Sequence, residues 1–149
     1  MAVIETVRPP LNLFEVVRED FTDTWTNLYE VPTYLVPALG PTPEYFVGAA
    51  AITTSLVVVN SSGSSATFNV RVRDPSSATP NPYSPGPYND FIIVQTLTVP
   101  ANSFVNVDLN RQVTKSMQII QVQASAGATL TAHFSFVLNQ REQFTIISP

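Results

Sequence analysis

Residues 49–73 limit what the rest of the chain can become. The first half, Ala-Ala-Ala-Ile-Thr-Thr-Ser-Leu-Val-Val-Val-Asn, is apolar and β-branched, the composition of a strand covered on both faces or nearly so. The second half alternates. Ala66, Phe68, Val70 and Val72 share one face, and Thr67, Asn69, Arg71 and Arg73 share the other. Between the halves, Asn60 to Ser65 are small and polar, with Gly63 free to take a positive φ, so the chain reverses there. A hairpin with one apolar face needs a second layer to cover it. The remaining sequence supplies strands for that layer. The expected fold is therefore all-β: a single-domain antiparallel β-sandwich, jelly-roll-like, with an extended N-terminal arm.

The flanking segments divide the chain into residues 1–24 (arm), 25–138 (sandwich) and 139–149 (tail or edge strand). In the arm, Pro9 and Pro10 hold the backbone extended, while Asn12 and Glu15 have the spacing of a helix cap over Leu13, Phe14 and Val17. Both forms stay open, because Val16 and Val17 weaken a helix. Trp25 to Val31 reads as the first strand, ended by Pro32. Pro37, Pro41 and Pro43 then favour an extended connection. Residues 74–90 carry five prolines, a long stiff loop of the kind that is functional or disordered. Strands follow over 91–99, 104–109, 117–124 and 128–138, with a polar connection at 110–116. The alternation predicts a core of Leu56, Val58, Phe68, Val70, Val72, Leu97, Val105, Val107, Leu130, Phe134 and Phe136.

Charged residues are only 12% of the chain, about half the usual share. Ser, Thr, Asn and Gln do the solvating, and Lys115 is the only lysine. Lysine commonly guards exposed sheet edges, so a β-protein without it is expected to cover its edges with its own arm or with neighbouring subunits. The net charge of −4 argues against a nucleic-acid surface. Seven acids and two arginines lie in residues 1–44, which concentrates the negative charge there. No apolar run approaches the roughly 18 residues of a membrane span, and the start lacks the pattern of a signal peptide. The chain reads as a soluble protein made in a cytoplasm.

Catalytic chemistry finds little support. His133 is the single histidine, mid-strand with Ser135 two residues on, and reads as a satisfied or solvated strand histidine; no nucleophile elbow accompanies it. There are no cysteines, and no carboxylates stand at metal-ligand spacing. No enzyme activity, cofactor or metal is expected.

Leu28-Tyr29-Glu30-Val31-Pro32 resembles the LYxVP opening of a class of small β-sandwich virion proteins met in tailed phages of cyanobacteria. The hairpin centre Val-Val-Val-Asn-Ser-Ser-Gly and the segment Leu97-Thr98-Val99-Pro100-Ala101-Asn102-Ser103-Phe104 follow in the same order. The resemblance covers about residues 25–138. The segments at 32–52 and 74–90 are longer here, and the first 24 residues lie outside it. It implies a non-catalytic structural part of the particle at head, neck or tail, assembled in a host cytoplasm. The implied partners are other virion proteins and further copies of the chain. The apolar arm and tail and the stiff loop give the candidate subunit contacts: Leu11, Leu13, Phe14, Tyr83, Tyr88, Phe144 and Ile146. The alternative is a fibre-type module binding a carbohydrate or receptor, for which Tyr83 and Tyr88 are the aromatic candidates.

Overall fold

The computed structural model describes residues 2–7, 11–76, 86–140 and 143–148, and every regular element among them is a strand. The strands are β1 (Ala2–Val7), β2 (Leu11–Phe21), β3 (Thr26–Glu30), β4 (Thr33–Val36), β5 (Tyr45–Asn60) and β6 (Ala66–Pro75). They continue with β7 (Tyr88–Val99), β8 (Ser103–Val107), β9 (Val113–Lys115), β10 (Ile119–Ala124), β11 (Leu130–Gln140) and β12 (Gln143–Ser148). All pairings are antiparallel. A four-stranded sheet runs β3-β10-β6-β7. A six-stranded sheet runs β2-β11-β5-β4, with β8 and β9 also on β5. The two pack face to face as a β-sandwich, and β1 pairs with β12 as a separate ribbon.

The alternation in the sequence is the reason the two sheets meet. Ala66, Phe68 and Val70 of β6 share one buried core with Leu56 and Val58 of β5 and with Leu130, Ala132, Phe134, Phe136 and Leu138 of β11, and Val72 is buried as well. Phe134 and Phe136 lie with ring centroids 5.1 Å apart, and Tyr29 of β3 packs on Phe136 at 4.1 Å. Of the expected core, Leu97 and Val105 are partly buried and the other nine are buried. Strand β5 carries a bulge, where Thr54 and Ser55 are both exposed and the register against β11 shifts. The bulge is what keeps Ala49, Ala51 and Thr53 on the core side together with Leu56, Val58 and Asn60.

The segment read as an arm is extended, and it belongs to the larger sheet. All of β2 pairs with β11, from Leu11 opposite Gln140 to Phe21 opposite Leu130. Phe21 is buried, edge-on to Phe68 at 6.5 Å. The boundary between arm and sandwich therefore falls before Leu11, not at Trp25. Trp25 itself lies outside the core, half-exposed under the Arg71 guanidinium at 4.0 Å. The polar connection at 110–116 contains β9, which pairs with Ala50 to Ile52.

The two ends of the sandwich differ. At one end every connection is short: residues 22–25, 61–65, 100–102 and 125–129. Asn60, buried there, ties the 61–65 turn to the end of β7. Its Nδ2 donates to the carbonyls of Ser64 (2.8 Å) and Val99 (3.2 Å), and its Oδ1 accepts from Ser62 N (3.0 Å) and Ser62 Oγ (2.8 Å). Asn102, at φ 50°, completes the knot through its N–H to Ser62 O at 2.9 Å, whereas Gly63 does not use the positive φ open to it. Asn60→Ala is expected to cost about 1–3 kcal/mol in urea denaturation, because buried carbonyls lose their donors; a loss below 0.5 kcal/mol, within the range of an ordinary surface change, would contradict this role.

Candidate functional site

At the opposite end the connections are uneven: residues 31–32 and 116–118 are short, while 37–44 and 76–87 are the longest between described strands. Strand β5 runs on past the body to pair with β4 as a hairpin over residues 33–48. The β1–β12 ribbon is joined at this end, to β2 through residues 8–10 and to β11 through residues 141–142. The Pro-rich loop leaves β6 at Pro75 and returns at Tyr88, closed at its base by Ser76 N on Pro87 O at 2.9 Å.

The sequence-derived contact residues gather toward this end. Leu11, Leu13 and Phe14 stand opposite Gln140, Leu138 and Val137 in the far half of β2. Phe144 and Ile146 lie on β12 opposite Thr6 and Ile4, so the tail pairs with the chain's own first strand. Tyr88 opens β7 opposite Pro75, half-buried, with the Arg73 guanidinium 4.9 Å over its ring. Tyr83 lies outside the described residues. Leu13 points to the core side of its strand and Phe14 to the outer side, a consequence of the two-residue period.

The outer faces of the two sheets have opposite characters. On the larger sheet one row crosses four strands: Phe14 of β2, Val137 of β11, Ile52 of β5 and Val113 of β9. Val16, Val57, Val59 and Phe104 lie on the same face. Sequence reasoning missed Val16, Ile52, Phe104 and Val113. Only Phe104 sits in a readable alternation, beside the apolar Val105 and Val107; the others show no clean two-residue period.

On the smaller sheet the outer face carries a linked polar row, with Ile92 exposed beside it opposite Arg71. Gln121 Nε2 donates to Asn27 Oδ1 (2.6 Å), Arg71 Nε donates to Gln121 Oε1 (2.8 Å), and Asp90 receives Arg71 at 3.3 Å and Arg73 at 2.9 Å. Beside this row, Asn69 Oδ1 accepts the N–H of Thr96, at 2.7 Å, where β7 bulges. Trp25 and Tyr88 flank the row, but a guanidinium covers one face of each ring, which limits both as stacking platforms for a sugar.

His133 is exposed on the larger sheet's outer face, opposite Arg18 and Val57. Ser135 shares its hydroxyl hydrogen bond with Thr54 at 3.0 Å, and Asp20, the acid on that face of β2, accepts from Thr131 at 2.6 Å. An exposed histidine between occupied neighbours lacks the oriented chain of contacts that activates a nucleophile. A groove of about 470 Å³ beside the β5 bulge is lined by Thr54, Ser55, Asn106, Asp108 and Arg111, with no histidine among its walls. Among the described residues no group of three or more His, Asp or Glu stands close enough to hold a metal ion, and no helix is long and apolar enough to cross a membrane. Compared with known protein families, with curated proteins and with solved structures, the chain matches none of them.

Proposed function

We propose that the chain is a non-catalytic structural subunit of a phage particle, repeated in symmetric copies, and that its extended end binds neighbouring capsid, neck or tail proteins. The observation that carries this reading is the asymmetry between the two ends. One is closed by tight turns tied to Asn60, and the other carries the ribbon, the 33–48 hairpin and the Pro-rich loop. A hairpin, a long loop and both chain ends leaving from one end of a sandwich suit a part that is plugged into an assembly. Binding through them loses less entropy where prolines already restrict the free chain. The resemblance of residues 25–138 to small virion proteins supports the same class of function.

The loop gives the test. Replacing residues 77–87 by a Gly-Ser linker removes most of its prolines and Tyr83 and leaves every sandwich strand intact. The expected result is an unfolding free energy within about 0.5 kcal/mol of the parent, as for a surface change, together with reduced incorporation into particles. Normal incorporation would make the loop a mere connector.

A further inference from the structure

We infer that two copies of this chain pair face to face through the outer surface of the six-stranded sheet. The inference rests on the structural-subunit reading and names the surface through which copies meet.

The face carries many exposed apolar side chains, interrupted along β11 by Thr131, His133, Ser135 and Asn139. Phe14 is 70% exposed, Val16 67%, Phe104 61%, Val113 50% and Ile52 36%, with Val57, Val59 and Val137 half-buried among them. With a phenylalanine presenting about 200 Å², the two rings alone leave roughly 260 Å² of apolar surface, and the aliphatic neighbours take the patch into the range that marks interaction sites. Charge is distributed as in an interface. Arg18 and Asp20 lie on β2 and Lys115 on β9, the lateral strands, while the outward residues of the central strands β11 and β5 carry no carboxylate, lysine or arginine. Depletion of carboxylates, lysine and arginine toward the middle of a patch is a feature of protein–protein contacts.

The dimensions fit a second copy. Four strands about 4.8 Å apart and eleven residues rising about 3.4 Å each give a face of roughly 19 by 37 Å, or about 700 Å². A stable interface takes about 800 Å² from each partner, so the whole face is the right size for one. Two identical faces meeting about a two-fold axis bury the patch on both copies at once. They also leave the polar Asn27–Gln121–Arg71–Asp90 rows facing outward on both sides.

The edge of the same sheet is closed to the alternative of strand addition. Glu15 and Glu19 of β2 stand opposite Phe136 and Ala132, on the core side of the edge strand. Inward-facing charges at an edge oppose pairing with another strand, and they do here what the scarce lysines do not. Strand addition at the β2 edge is thus disfavoured.

Sedimentation equilibrium on the full chain tests this, with Val16→Glu, Phe104→Glu and Ile92→Glu as variants and a thermal melt to show that each is folded. Ile92 is exposed on the other sheet, opposite Arg71. The expected result is twice the chain mass for the parent and for Ile92→Glu at low micromolar concentration, and the single-chain mass for the two face variants. A parent that stays monomeric at high micromolar concentration overturns the inference, as does a dimer that survives both face substitutions. A monomer that still bands with particles removes the face-to-face pair and leaves the structural-subunit reading standing. A dimer that never joins particles does the reverse.

Discussion

A chain beginning at Thr24 is expected to lose its cooperative unfolding transition. The deletion removes all of β2, and with it Phe21 from the core and one of the two strands that pair with β11 along its length. Losing a buried phenylalanine alone costs about 3–5 kcal/mol. Stripping the strand also opens the slot beside Phe134, Phe136 and Tyr29, which Val17 and Glu15 border. Against a total stability of about 5–15 kcal/mol, a domain of this size does not withstand both losses. Circular dichroism during heating checks this. A sharp transition near that of the full chain would show that β2 is dispensable, as an independent arm would be.

Phe134→Ala is the second large effect. Phe134 is fully buried in the middle of β11, between Val17 of β2 and Leu56 of β5, and its ring packs on Phe136. A central position hemmed in on both sides collapses poorly around a lost ring, so the expected cost is about 3–5 kcal/mol in denaturant unfolding. Ile92→Ala, exposed on the other sheet and outside the inferred contact, supplies the contrast. It is expected to shift stability by no more than about 0.5 kcal/mol. Equal losses at the two positions would mean that the buried and outer faces are wrongly assigned.

The core was legible in the sequence because strict alternation in 66–72 and 130–138 has one solution: apolar side in. The arm was misread for the opposite reason. In β2 the outward positions include Phe14 and Val16 while the inward ones include Glu15 and Glu19, so its period points the wrong way for a strand of a solvated sandwich. Only the pairing with β11 resolves it. The bulge at Thr54 and Ser55 hid the alternation of β5 in the same way, by inserting one residue into a period of two. Val113 was lost inside a polar stretch because a three-residue strand is too short to show a period. The outer-face patch was invisible for a further reason: it is assembled from four strands that are distant in sequence, and register alone brings Phe14, Val137, Ile52 and Val113 into line. The candidate contacts at Leu13, Phe14 and Tyr88 were readable as apolar or aromatic residues without an evident core position, but their common end of the molecule was not.

The most direct test of the structural-subunit account is the amount of this protein in gradient-purified phage particles, quantified by mass spectrometry against the major capsid subunit. The account predicts that the protein bands with the particles at a fixed ratio set by the particle's symmetry, unchanged by repeated purification. Its absence from purified particles, with the protein recovered only from the lysate, would contradict it.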